Sequence, residues 1–210
     1  MMKDLKKCIM PIIFILLPVA YGLLIYDKLP SMMPIHFNYQ GVADGFATKN
    51  FALFFTPAVF IVLIILLPII IKADPKYQSG KNMVLDVSIY MLALICAFLS
   101  AAMIAVSLGV DIDVNFIMNM LMGAMLMAIG NYLPKTNLSY MVGIRLPWTL
   151  NSEENWKRTH RFAGFIWVLA GIMMIVNALT INFGLTIIVI VSIAIIVPGV
   201  YSYLLYRKGI

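Results

Sequence analysis

Charge is what this chain has least of. Only 11% of its 210 residues are Asp, Glu, Lys or Arg, against about 25% in an ordinary soluble domain, so a separate domain with a water-facing shell is not expected. Cysteine is nearly absent, with Cys8 and Cys96 alone, which leaves no disulfide framework. Cys8 sits at the inner end of the first apolar run and Cys96 inside the third, and apolar spans do not supply the polar, electropositive surrounding that makes a thiolate reactive. The two histidines, His36 and His160, are far apart in sequence, and no set of His, Cys, Asp and Glu has metal-ligand spacing. The nine acidic residues do not form the intramembrane series that proton- or cation-coupled transport often uses. No repeat relates the two halves. The region Leu17-Pro18-Val19-Ala20-Tyr21 has no clean small-x-small cleavage site, so the first apolar run reads as a retained anchor, not a secretory signal.

What the chain has instead is hydrocarbon, with 63% hydrophobic residues. A helix rising 1.5 Å per residue needs about 20 apolar residues to cross about 30 Å of bilayer core. Six segments qualify: 8–26, 51–71, 83–110, 114–132, 162–179 and 181–206. The predicted class is all-α, a polytopic membrane protein with six transmembrane helices in a single integral-membrane domain over 1–210. The only connections of any size are 27–50 and 133–161. Cytoplasmic loops near span ends carry the excess of Lys and Arg. With the N-terminus inside, Lys3, Lys6, Lys7, Lys72, Lys76, Lys81, Lys135, Arg145, Lys157, Arg158, Arg161, Arg207 and Lys208 fall on one side, and only Lys28 and Lys49 on the other. Both termini and the 133–161 loop are therefore expected in the cytoplasm, and the 27–50 loop outside. Topology and attraction to anionic lipid, about 1 kcal/mol per basic residue near the surface, account for the net charge of +6. Nucleic-acid binding is not needed to explain it.

Within the spans, the irregular residues read first as helix packing. Pro18, Pro57, Pro68 and Pro198 belong to a type common in transmembrane helices. Ala124 with Ala128, and Gly164 with Gly171, have the spacing that lets helix backbones approach closely. Met118, Met120, Met122, Met125 and Met127 keep to no single face and read as packing. Asp86 lies about one turn into the third span, within reach of the headgroups. Asn119 and Asn131 are the other polar exceptions.

Polar groups cost free energy in hydrocarbon and must lie at a surface or line a cavity, so function is expected in the two loops. The outer loop carries Pro34-Ile35-His36-Phe37-Asn38-Tyr39-Gln40-Gly41-Val42-Ala43-Asp44-Gly45-Phe46. Its Asn, Gly and Asp-Gly residues suit two tight turns. Phe37, Tyr39 and Phe46 suit a loop lying on the outer interface. In the inner loop, Asn151-Ser152-Glu153-Glu154 reads as a helix N-cap followed by acids that favour the first turn. It opens an interfacial helix with Trp156, His160 and Ala163 on one face, feeding the fifth span. Upstream, Gly143-Ile144-Arg145-Leu146-Pro147-Trp148-Thr149-Leu150 sets a guanidinium beside an indole on a segment stiffened by Pro147. An Arg there can stack on the indole or take a phosphate in two-pronged fashion.

These residues resemble the SdpI family of bacterial toxin-immunity membrane proteins. The likeness runs through Gly130-Asn131-Tyr132-Leu133-Pro134, then Gly143-Ile144-Arg145 with Pro147-Trp148-Thr149-Leu150, then Trp156 with Thr159-His160-Arg161. The outer pattern Pro34-x-His36-Phe37-Asn38-x-x-Gly41-x-x-Asp44-Gly45 is similar to the N-terminal module of the longer members. The resemblance implies a multi-pass protein of the bacterial cytoplasmic membrane that protects a producing cell from a secreted membrane-active peptide toxin. Signalling to a cytosolic regulator is a further implied role. The partners expected are membrane lipids, the toxin and that regulator; no metal, cofactor or nucleic acid is expected. The inner-loop binding residues expected are Asn131, Gly143, Arg145, Pro147, Trp148, Thr149, Trp156, Thr159 and His160. The outer-loop ones are Pro34, His36, Asn38, Gly41, Asp44 and Gly45. Two other classes stay open on the residues alone. One is an integral-membrane enzyme acting on a lipid or peptide, with His160 and Glu153 or Glu154, or His36 and Asp44, as an acid-base pair. The other is a small transporter.

Overall fold

The computed structural model describes residues 2–76, 83–181 and 183–210, with side chains from Lys6 onward. Lys81, one of the basic residues expected inside, lies outside the described residues. The elements run α1 (Met2–Leu24), β1 (Met32–Phe37), β2 (Ala43–Thr48), α2 (Lys49–Lys72), α3 (Met83–Ser107), α4 (Val114–Tyr132), α5 (Pro147–Asn151), α6 (Glu153–Leu179) and α7 (Leu185–Arg207). All the helices but the short α5 are long and apolar enough to cross a membrane, which makes six spans among the described residues. Large apolar side chains stand open along these helices, Leu24 85% exposed and Ile195 64% among them. Such surface has hydrocarbon as its natural solvent. The chain is a helical, multi-pass membrane protein.

Three local features differ from expectation. The 27–50 connection, expected outside, contains a two-stranded antiparallel hairpin where two turns were expected. The interfacial helix and the fifth span are one unbroken helix, α6. The last span opens at Leu185 instead of 181, because polar side chains hold the preceding turn. Asn177 Nδ2 donates to Phe183 O at 3.2 Å, and Thr186 Oγ1 donates to Asn177 Oδ1 at 3.1 Å.

The chain packs as two compact units, Met1–Ile69 with Ser88–Met118, and Ile70–Val87 with Asn119–Ile210. In the first, the hairpin stands on a buried cluster of Leu29, Met33, Ala52, Leu53, Met103 and Ile104. Lys49 Nζ donates to Tyr26 O at 3.1 Å and lies over the Tyr26 ring, closing the base of the hairpin. In the second unit, α4 and α6 touch backbone to backbone. A Cβ placed on Gly171 would lie 2.5 Å from Gly123 O, and one on Gly164 would lie 2.6 Å from Gly130 O. Gly164 and Gly171 are thus the expected helix contacts, but their partners are Gly123 and Gly130. Ala124 is exposed. Beside this crossing, Leu126, Ala170, Met174, Ile190 and Ala194 form a buried cluster.

Candidate functional site

The hairpin motif is built by local chemistry. Asn38 Oδ1 accepts from Gln40 N at 2.9 Å and Val42 N at 3.1 Å, an Asx turn that reverses the chain. Gly41, at φ 77°, takes the left-handed position that this turn needs. Asn115 Nδ2 donates to Tyr39 O at 3.0 Å and ties the tip to the start of α4. Pro34 is buried opposite Phe46, and His36 pairs with Gly45 between two register shifts. A Cβ on Gly45 would lie 2.9 Å from His36 Cβ, so glycine makes room for the imidazole. His36 Nδ1 then meets Asp44 Oδ1 in an exposed ion-pair contact. Of the six expected outer-loop residues, Pro34, Asn38, Gly41 and Gly45 shape the hairpin, and His36 and Asp44 are what it displays.

The second group surrounds His160, which is fully buried. Ile144 N donates to His160 Nε2 at 2.9 Å, and Trp156 O lies 2.8 Å from Nδ1. A backbone N–H can only donate and a carbonyl only accept, so the ring is the neutral tautomer with its proton on Nδ1. Trp156 stacks on the imidazole at 3.9 Å between centroids, and its Nε1 donates to Thr136 O at 2.9 Å. Gly143 passes across this stack at φ 116°, where a Cβ would lie 2.4 Å from His160 Nε2. Only glycine fits there, on both counts.

From that anchor the chain enters α5. Pro147 opens the helix, where its missing N–H leaves nothing unsatisfied. Buried Thr149 accepts from Leu146 N at 2.8 Å and donates to Ile144 O at 2.8 Å. Trp148 Nε1 donates to Ser202 Oγ at 2.8 Å, and the indole packs on Tyr203 and Tyr206 of α7. Ser202 Oγ in turn donates a hydrogen bond to Asn155 Oδ1 at 2.8 Å. Asn155 is saturated, because Oδ1 also accepts from Thr159 at 3.0 Å while Nδ2 donates to Ser202 O and Ile210 O. The network joins α5, α6 and α7 with every partner satisfied, the condition under which a buried polar cluster rigidifies a fold.

Asp74, just beyond α2 and 4% exposed, holds the other end of the loop. Its carboxylate accepts from Ser139 Oγ and from the backbone N–H groups of Lys76, Tyr140 and Met141. Burial works to raise its pKa, but the hydrogen bonds from Ser139, Lys76, Met141 and Tyr140 outweigh it and hold the carboxyl below its ordinary range. Arg145 Nη1 donates to Tyr140 O at 2.8 Å, and the rest of the side chain is exposed. A cleft of about 470 Å³ opens beside Trp156, bounded by Lys76, Thr136, Leu150, Asn151 and Lys157.

The structure brings Gly143, Arg145, Pro147, Trp148, Thr149, Trp156, Thr159 and His160 into one assembly. Asn131 stands apart, exposed on α4. The expected guanidinium–indole pair does not form: Arg145 braces a carbonyl, and Trp148 turns to α7. The acid-base pairs at His160 do not form either. Glu153 and Glu154 instead pair with Lys157 and Arg158 on the exposed face of α6. Asp74, Asn155 and Ser202 escaped sequence reasoning. Only the polarity of Asn155 and Ser202 at helix ends hinted at them.

Fold and loop together define a helical membrane protein with a rigid polar clamp at the ends of its last helices. Residues 135–202 match the SdpI/YfhL protein family, and residues 13–61 match a domain of unknown function (DUF1648). The chain is also 29% identical over 206 residues to Immunity protein SdpI of Bacillus subtilis (strain 168), covering 97% of this chain and 98% of that protein. No solved structure matches. The chain is thus similar to the SdpI/YfhL family over its inner loop and last two spans, and to one immunity protein along nearly its whole length.

Proposed function

We propose that this chain is an immunity protein of the bacterial cytoplasmic membrane, giving resistance to a secreted membrane-active peptide toxin by recognising or neutralising it there. The observation that carries the reading is the likeness to Immunity protein SdpI along nearly the whole length of both chains. The outer hairpin and the Arg145 loop are the proposed contact regions, and the Arg145 loop is the side from which a cytosolic regulator would read the protein. The acid-base alternative gains little support. His160 has both ring nitrogens committed inside the fold, and His36–Asp44 is a pair exposed on the hairpin, without the enclosure that shields a reacting group from water.

The test is expression in a toxin-sensitive host and survival under purified peptide. Wild type should protect. Arg145→Lys should keep membrane levels yet lose protection nearly as fully as Arg145→Ala, because a lysine can supply charge but not a planar set of outward donors. A fully protective lysine variant would reduce Arg145 to a loop brace and topology charge.

A further inference from the structure

Unit one contains a groove between α1 and α3 of about 490 Å³, walled by Leu17 and Tyr21 on one side and by Ala97, Ala101 and Ala105 on the other. Alanines four residues apart form one shallow stripe along a helix. The way α3 ends closes one end of the groove. Gly109 takes φ 78°, and Val110 N donates back to Ala105 O at 3.0 Å, which folds Val110 over the last alanine. Ile104 lines the same groove and also packs in one cluster with Met33, so this capped end of the groove and the hairpin share one end of the unit. That end is acidic. Asp111, exposed, follows Val110 directly. The loops of this end hold Asp27, Asp44, Asp111 and Asp113 against Lys28 and Lys49; Lys49 is bound to Tyr26, Asp44 meets His36 and Asp113 accepts from Phe116 N, while Asp111 stands exposed beside Val110.

We infer that this groove is the seat of the toxin: a helical apolar peptide segment that lies along the alanine stripe and places a basic residue beside Asp111. The occupant's identity as toxin rests on the immunity reading. Charge decides between peptide and lipid. An anionic phospholipid in the groove would bring net negative charge against Asp111, a like-charge contact, and a zwitterionic one brings no net charge to be attracted, whereas a cationic peptide end is attracted.

The experiment uses the full chain reconstituted in phosphatidylcholine vesicles. The probe is a synthetic Leu/Ala helix long enough to span the bilayer, bearing a photocrosslinker and ending in two lysines or two glutamates. Wild type should capture the lysine-ended probe, with crosslinks mapping to α1 and α3, and should take the glutamate-ended probe no better than background. Ala101→Leu and Ala97→Leu, which fill the stripe, should each weaken capture about tenfold, and Asp111→Asn about threefold. Equal capture of both probes by wild type, a comparison that needs no mutation, overturns the inference. So does undiminished capture by monodisperse Ala101→Leu and Ala97→Leu proteins. The survival assay separates the two readings. Protection without groove capture removes the groove and leaves immunity standing, while groove capture without protection removes immunity and leaves a peptide site.

Discussion

Gly143 is the residue on which the clamp is most finely balanced. Its left-handed backbone and its contact with His160 are independent demands, and alanine fails both. Gly143→Ala should cost about 3 kcal/mol, the sum of backbone strain and a displaced buried ring. A fall in the thermal midpoint of the detergent-solubilised protein checks it, and an unchanged midpoint would mean that the stack yields freely. Asp74 makes a pH-dependent contribution. Its folded pKa lies below the unfolded value, so its stabilisation is fully present above the ordinary carboxylate range and is lost as pH falls through the folded pKa. Asp74→Asn, which retains shape but weakens the acceptor, should lower stability by about 1–3 kcal/mol at neutral pH. The gap to wild type should close only in acid, and melting curves from pH 7 down to pH 3 would show whether it does.

At the scale of the element, the hairpin separates folding from display. Exposed ion pairs contribute about 0–1 kcal/mol, so replacing His36 and Asp44 together with alanine should leave membrane levels and melting unchanged while weakening protection. Intact protection in the double variant would make the hairpin a structural cap and nothing more. The helices were legible in the sequence because twenty apolar residues in a row have few other uses. The hairpin was not, because its strands carry Pro34 and Gly45 where β-branched residues usually advertise a strand. The inner loop was half legible: Gly143, Trp156 and His160 stand in a compact motif. The partners that give the motif its shape are far away in the chain, Asp74 opposite Ser139 and Asn155 opposite Ser202. Such pairings leave no periodic trace. For the same reason Arg145 and Trp148, neighbours in sequence, looked like a pair until α7 supplied the indole with a better partner.

For the whole molecule, the placement of basic residues makes one demand. The loop after Asp44 and the loop after Asn151 should lie on opposite sides of the membrane, with both termini on the Asn151 side. Reporter fusions at those two points test it, and an external signal from the Asn151 fusion would overturn the orientation. A last consequence concerns what the bilayer can and cannot replace. Most contacts between spanning helices set hydrocarbon against hydrocarbon, and a lipid or detergent tail can take either place at little cost. At Gly123–Gly171 and Gly130–Gly164 each glycine carbonyl lies against the facing glycine, with no side chain between them. No tail can enter there or reproduce the contact. The pairing of α4 with α6 should therefore be indifferent to the amphiphile that surrounds it, and survive exchanges of detergent or lipid that loosen helices joined only by their leucines.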